Sequence, residues 1–310
     1  MRPRLHKALA LLLPLLLAGI GRAAPAREYP LGNARFAVTV RAPLEDWVKT
    51  EGPRFDISAA VVSARLDGEE YLTAQGLADE FNPKWIAPPG YNEARPGEPF
   101  LKIGIGNLIR LDRFRYLFGK FPVQRLAPNR LLRASAEEAS FSQVFNSGIG
   151  YAYTYEKTYR VDPTRATLRI HYKLRNTGAK PLLTEQYNHN WVWLGPAPYG
   201  GYVVRSPFAL QPTPDLPFDG LEIRKGHITL TRPVTQPSHA TTLQYVRAWR
   251  NRLRLSNPAT GRWVEISGNF PVSRFSLFAN AESVCPEVFC QWALAPGKTA
   301  EWERTYRFGY

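Results

Sequence analysis

Hydrophobic and polar positions alternate with a period of two along most of the chain after residue 26, and no long stretch has helical periodicity. The clearest case is the segment 151–178, where tyrosines at alternate positions precede a turn at Asp162-Pro163 and a second alternating run follows it. A shorter pair of runs flanks Asp67-Gly68, a typical hairpin turn. Alternation of this kind predicts β-strands with one buried face.

Many short strands separated by turn residues predict an all-β fold, a large antiparallel β-sandwich. The last predicted strand is the segment 299–308, which follows a turn at Pro296-Gly297. The segment 82–99 is rich in proline and glycine and is predicted to be a long surface loop. Since the sequence shows no repeat or linker, we expect one domain over residues 27–310.

Residues 1–26 have the pattern of a secretory signal peptide. Arg2, Arg4 and Lys7 precede an apolar run over residues 8–20, and Ala24-Pro25-Ala26 is a typical cleavage site. The expected mature chain is exported, periplasmic or secreted. It contains no later segment that is long and apolar enough to span a membrane, and we expect it to be a monomer.

The chain is basic, with a formal net charge of +14 at pH 7. Removal of the expected signal peptide takes away four basic residues (Arg2, Arg4, Lys7 and Arg22) and no acids, which lowers the charge to +10. The arginines are scattered and form no basic run or helix, so the charge does not indicate a nucleic-acid partner. It is compatible with a solvated surface or with acidic glycans.

The two cysteines, Cys285 and Cys290, are close together in the sequence. Export would permit a disulfide bond between them, although the sequence cannot give their separation in space. No cysteine–histidine cluster has the spacing of a zinc site, so no metal site is predicted.

The segment 185–193, EQYNHNWVW, places His189 in an aromatic run. On a strand, His189 and Trp191 would share one face, while Asn188 would project from the other. Aromatic rings pack against the apolar faces of sugars, and asparagine side chains hydrogen-bond hydroxyl groups. A histidine in such a strand can be a catalyst or a hydrogen-bonded core residue. The C-terminal segment adds Glu287, an acid in an otherwise apolar stretch, which is either a general base or a surface residue.

Together the two segments resemble the galactose mutarotase (aldose 1-epimerase) superfamily. The run Asn188-His189-Asn190-Trp191 is similar to the part of that superfamily that carries its general-acid histidine, and Glu287, ahead of a Pro-Gly turn and a last strand, is similar to its general base. The resemblance extends over most of the mature chain. It is closest to an exported branch, through the segments GLADEFN (76–82) and FLKIGIGNL (100–108).

One family feature is missing from the sequence. Galactose mutarotases have a second active-site histidine upstream of the first, and the corresponding region here, residues 97–121, has none. His171 is expected to face solvent, and His227 and His239 come too late in the chain. Other substrate-binding residues are therefore predicted, and the candidates are Lys102, Asn107, Arg110, Glu80 and Asp219, of which Asp219 also fits a plain Asp-Gly turn.

The resemblance implies acid–base interconversion of sugar anomers. Glu287 would accept the proton of the anomeric hydroxyl and His189 would protonate the ring oxygen from the opposite side of the sugar, so that the ring opens and closes on its other face. The substrate would be a free aldose or the reducing end of an oligosaccharide, and the reaction would need no cofactor or metal. Two alternatives remain open at this point: a non-catalytic glycan-binding protein on the same fold, and a polysaccharide lyase-like enzyme that uses Arg110 or Arg113 against an acidic sugar.

Overall fold

A computed structural model describes residues 27–84, 86–195, 201–208, 211–212, 221–224, 227–232, 234–241 and 250–310. The expected signal peptide lies outside these ranges. Within them the protein is nearly all β, and no helix is long and apolar enough to cross a membrane.

The strands are numbered in chain order. They are β1 (Arg27–Gly32), β2 (Phe36–Ala42), β3 (Ala60–Leu66), β4 (Glu69–Glu70), β5 (Leu72–Phe81), β6 (Pro99–Lys102), β7 (Gly106–Ile109), β8 (Val123–Leu126), β9 (Asn129–Ala134), β10 (Glu138–Asn146), β11 (Ala152–Asp162), β12 (Thr167–Asn176), β13 (Leu182–Val192), β14 (Val203–Arg205), β15 (Gln211–Pro212), β16 (Leu221–Arg224), β17 (His227–Leu230), β18 (Ser238–Thr241), β19 (Arg252–Ser256), β20 (Trp263–Gly268), β21 (Arg274–Ala279), β22 (Val284–Leu294) and β23 (Thr299–Gly309). One helix, α1 (Trp47–Thr50), lies between β2 and β3.

Two large antiparallel sheets make up most of the described structure. The first has the strand order β1-β2-β3-β5-β13-β22-β21-β18-β15, with β4 paired to β3, and the second has the order β16-β17-β14-β19-β20-β23-β12-β11-β10-β9. A small third sheet, β6-β7-β8, completes the described strands. The predicted all-β sandwich is confirmed.

The main core is formed by apolar side chains of both large sheets. Tyr153, Tyr155 and Tyr159 of β11 are buried together with Val61 of β3 and Phe81 of β5. The alternating run therefore faces the core as the sequence predicts, and burial of aromatic and aliphatic surface is the main favourable term in folding.

The local predictions of strands and turns are also confirmed. β11 and β12 pair in register from Tyr153–Asn176 to Asp162–Thr167, and β3 and β4 form a hairpin through Asp67 and Gly68, both with positive φ. The segment between the end of β5 and the start of β6 contains no strand in its described part. The expectation of a single domain over residues 27–310 stays a prediction.

Candidate active site

The alternation of β13 divides the EQYNHNWVW segment between two surfaces. Asn188 and Asn190 point into the sandwich, where Asn188 donates a hydrogen bond to the Tyr172 hydroxyl and Asn190 accepts one from the Tyr306 hydroxyl. His189 and Trp191 lie on the opposite face, with their rings stacked at a centroid distance of 5.6 Å. The first sheet thus presents His189 on the face that does not form the main core.

Strand pairing brings Glu287 next to His189. β13 and β22 are antiparallel, with Tyr187 opposite Phe289 and Val192 opposite Val284, so His189 and Glu287 occupy facing positions. Nδ1 of His189 lies 3.1 Å from Oε1 of Glu287. The histidine is 3% exposed and the glutamate 6%. The expected acid and base are therefore in contact on one sheet face, and not on opposite sides of a sugar as the resemblance implies.

Glu80 binds the other side of the histidine ring. It lies on β5, opposite Tyr187, and its Oε2 is 3.0 Å from Nε2 of His189. The same oxygen accepts hydrogen bonds from the Tyr187 hydroxyl at 2.7 Å and from Arg54 at 2.9 Å. Nζ of Lys102 lies 3.6 Å from Oε1. Glu80 fixes the ring so that Nδ1 faces Glu287.

The surrounding charges set the protonation of these groups. Burial would raise the pKa of Glu80, but Arg54, Lys102 and His189 outweigh burial and hold this pKa far below its usual range, so Glu80 is ionised. Burial would lower the pKa of His189, but Glu287 and Glu80 outweigh it and raise the pKa. The imidazole is therefore biased towards its protonated form, as a general acid requires.

Aromatic residues cover the histidine and border a cavity. The ring of Phe55 meets His189 edge-on at 5.0 Å. Beside them is a cavity of about 430 Å³. Its walls include Trp47, Phe55 and Trp191 together with the polar side chain of Arg54. Ala78, opposite His189 on β5, also lines it. The cavity is within the size range of small-molecule sites.

The structure brings some of the predicted substrate-binding residues to this place and not others. Glu80, Trp191 and Lys102 belong to the cluster around His189. The Nδ2 group of Asn107 instead donates to Gln124 and to the carbonyl of Ser147. The guanidinium of Arg110 donates to backbone carbonyls of two loops, at residues 91 and 94 before β6 and at residues 112 and 114 after β7.

The remaining predicted substrate-binding residues are not found at the site either. Asn188 belongs to the interior of the sandwich. The roles of Asn107, Arg110 and Asn188 in the described structure are hydrogen bonds that hold backbone and core. Asp219 lies outside the described residues.

The disulfide that export would permit is not formed in the structure. Cys285 and Cys290 are free and buried. Both lie on the continuous strand β22, where five residues span roughly 16 Å, far more than a disulfide bridges. Their positions also differ in parity, so they project from opposite faces. Cys285 contacts Glu287, and Cys290 contacts Gln186 in the interior.

Two residues near the site were not predicted. Arg54 carries no local motif, and only the fold brings it to Glu80. His239 was set aside because of its position in the chain, but β18 pairs with β21, placing it opposite Phe278, whose ring contacts Trp191. It is half-buried, and burial lowers its pKa although Glu287 acts in the opposite direction. Its late position in the chain does not keep His239 away from the site, because β21 lies between β18 and β22 in the first sheet.

Comparisons with known proteins agree on the architecture. A galactose mutarotase-like protein from Lactobacillus casei superposes with a TM-score of 0.62 at 12% identity, over 91% of this chain and 100% of the other. A putative aldose 1-epimerase from Escherichia coli K12 gives 0.57 at 14% identity, over 92% and 100%. An aldose epimerase homologue from C. elegans gives 0.57 at 14%, over 92% and 99%.

The fold is that of the galactose mutarotase-like proteins. At these identities the similarity establishes the galactose mutarotase-like fold alone. No protein-family model matches the sequence, and no curated protein matches it. The residues around His189 are therefore the evidence for the chemistry of this protein.

Proposed function

We propose that the protein is an exported aldose 1-epimerase that interconverts the anomers of a free aldose or of an oligosaccharide reducing end. The observation that supports this most directly is the contact of His189 with Glu287 at 3.1 Å, on the sheet face beside a cavity with aromatic walls. An acid and a base at one place are what sugar ring opening needs.

The geometry suits the two oxygens that exchange protons. The anomeric hydroxyl and the ring oxygen of an aldose are bonded to the same carbon, so the acid and base that serve them must be close neighbours. Glu287 accepts the hydroxyl proton while Nδ1 of His189 donates one to the ring oxygen, and the carbon–oxygen ring bond breaks to give the aldehyde. After rotation about the adjacent carbon–carbon bond, the reverse transfers close the ring on its other face.

The neighbouring groups support each part of this reaction. Glu80 holds Nε2 and leaves Nδ1 for the transfer, and its negative charge stabilises the imidazolium. Trp191 and Trp47 offer ring faces on which a sugar can stack. Arg54 lines the same cavity and supplies donors for hydroxyl or carboxylate oxygens. A sugar with an acidic group would suit this basic protein best.

Polarimetry on freshly dissolved α-aldoses and uronic acids tests the proposal. We expect the wild-type protein to accelerate mutarotation above the buffer rate. We expect His189→Asn and Glu287→Gln each to lower the acceleration by about 10²–10⁴-fold, the usual contribution of a positioned acid or base.

The matched control is His171→Asn. His171 also lies near a glutamate, with Nε2 3.6 Å from Glu301, but on the second sheet and 34% exposed. This variant should keep wild-type activity. If a folded wild-type protein accelerates no aldose, the enzyme assignment fails, and glycan-array binding would then test the non-catalytic alternative.

A further inference from the structure

His189, Cys285 and Glu287 place three metal-binding atoms together on buried side chains. Nδ1, Sγ and a carboxylate oxygen all lie within 4.8 Å of one another. Oε1 of Glu287 is 3.1 Å from Nδ1 and 3.6 Å from Sγ. With ordinary zinc–ligand bond lengths, a tetrahedral site has a nitrogen–oxygen edge of about 3.3 Å and an oxygen–sulfur edge of about 3.6 Å. Two of the three edges therefore already have the spacing of a zinc site, and the third, from Nδ1 to Sγ, lies within 4.8 Å.

The histidine provides independent evidence for a ligand. Nδ1 is buried and makes no aligned hydrogen bond, although Glu287 is close to it. Nε2 is held at 3.0 Å by the carboxylate of Glu80. Metal-binding histidines almost always donate their other ring N–H to a carboxylate, carbonyl or water in this way. When the imidazole is neutral, Glu80 keeps the proton on Nε2, and Nδ1 then directs a lone pair towards the cluster.

Cys285 and the local charges fit the same interpretation. Burial and Glu287 raise the pKa of the Cys285 thiol, so the thiolate forms only as the metal ion binds. The backbone N–H of Asn190, which donates to Sγ at 3.0 Å, then stabilises the negative charge. A thiolate at Cys285 and the carboxylate of Glu287 would together balance a divalent ion. The charge of Glu80 is already matched by Arg54 and Lys102.

We propose that Nδ1 of His189, Sγ of Cys285 and a carboxylate oxygen of Glu287 bind a zinc ion. This set of nitrogen, sulfur and oxygen donors suits zinc, and three protein ligands leave the fourth position to water. Binding displaces two protons, that of the Cys285 thiol and that of Nδ1 on the imidazolium of His189, and both pass to solvent. Sequence spacing gave no sign of the site because its ligands come from two strands that are far apart in the chain.

The metal site does not depend on the proposed function, but it affects that function. Zinc would occupy the lone pair of Nδ1 and the carboxylate of Glu287, the two groups assigned to proton transfer. We therefore expect zinc to suppress mutarotation. The zinc-free protein would be the active isomerase.

Titration of the purified full-length protein with Co²⁺ tests the site without an activity assay. Cobalt bound to a thiolate gives an intense near-ultraviolet charge-transfer band. We expect this band to saturate at one equivalent and to disappear when Zn²⁺ is added. Cys285→Ser should abolish the band. The matched control Cys290→Ser removes the other buried cysteine of β22, which lies on the opposite face, and should keep the band.

Thermal unfolding provides a second measurement. Zn²⁺ should raise the midpoint by a few degrees in the wild type and in Cys290→Ser, and by less in Cys285→Ser. Absence of a thiolate band in the folded wild type, or its persistence in Cys285→Ser, would overturn the metal site. A thiolate band together with no mutarotation by the metal-free protein would support the metal site and remove the proposed function. Mutarotation by the metal-free protein without a thiolate band would support the proposed function and remove the metal site.

Discussion

Glu185 is a buried carboxyl group at the start of the segment that carries His189. It is 1% exposed, and its Oε2 has no hydrogen-bond partner. Burial raises its pKa from an ordinary 4.5 to about 7, although Arg274 acts in the opposite direction. Between these two values the folded protein keeps the proton that the unfolded chain has lost. Stability is therefore expected to fall as the pH rises from 4.5 to 7, by up to about 3 kcal/mol from this residue.

Replacement of Glu185 by glutamine should remove this contribution. The amide is neutral at every pH, so Glu185→Gln should gain free energy of unfolding relative to the wild type between pH 5 and pH 8, by up to about 3 kcal/mol. Urea denaturation at the two pH values measures the gain. Glu282→Gln, at an exposed position, serves as the control and should show a nearly constant difference. An equal difference for Glu185→Gln at both pH values would contradict the prediction.

At the level of the strands, the sequence predicts most of what is observed, because alternation and turn residues are local signals. The β11–β12 pair and the hairpin at Asp67-Gly68 follow directly from them. Alternation along the strand also predicts that His189 and Asn188 lie on opposite faces of β13. Only the structure shows which of the two faces points into the core. The strand order is not local information. For this reason the contacts of Glu80 with His189 and Arg54, the position of His239 and the proximity of Cys285 to His189 and Glu287 could not be predicted.

Whether Cys285 and Cys290 are bridged could not be decided from the sequence for a related reason. Two cysteines five residues apart can meet in a turn but not along an extended strand. The segment CPEVFC belongs to an extended strand, because Pro286 lies within β22, opposite Leu277 of β21, and its carbonyl accepts a hydrogen bond from Asn190.

Gly76 lies at the point where β5 changes from exposed to buried residues. Ala74 and Gln75 are exposed, whereas residues 76–81, including Glu80, are buried. Gly76 has φ of +66°, and a Cβ at this position would overlap the carbonyl of Val61, next to the pairing of β3 with β5. Gly76→Ala should therefore lower the free energy of unfolding by on the order of 3 kcal/mol or more.

The control for this substitution is Gly68→Ala. Gly68 also has a positive φ, +85°, but a Cβ there would have nothing within 4 Å. The free energy of unfolding of Gly68→Ala should fall only by the cost of placing alanine in the left-handed conformation, roughly 1–2 kcal/mol. Urea denaturation of both variants separates conformational strain from the clash. Equal losses would mean that the approach of β3 to Gly76 is not important for stability.

At the scale of the whole molecule, the two large sheets are joined by polar contacts as well as by the apolar core. Lys157 on β11 of the second sheet is completely buried, and its Nζ lies 2.7 Å from Asp79 on β5 of the first sheet and 2.7 Å from Asp56. Asp79 also accepts hydrogen bonds from Tyr172 and from Gln186, two residues before Asn188. This buried network lies directly beneath the strands that carry Glu80 and His189.

Removal of the cation from this network tests whether it holds the sheets together. Lys157→Met keeps most of the side-chain volume but leaves two buried carboxyl groups without their partner. Loss of one partner of a buried ion pair typically costs about 3–5 kcal/mol, so the urea midpoint should fall strongly. Lys173→Met is the matched control, since Lys173 on β12 pairs with Glu301 at 3.1 Å with both side chains nearly half exposed, and such pairs contribute about 0–1 kcal/mol. Similar midpoints for the two variants would contradict the prediction. They would mean that Asp56 and Asp79 tolerate the loss of Lys157 by taking up protons, and that the apolar core alone joins the sheets.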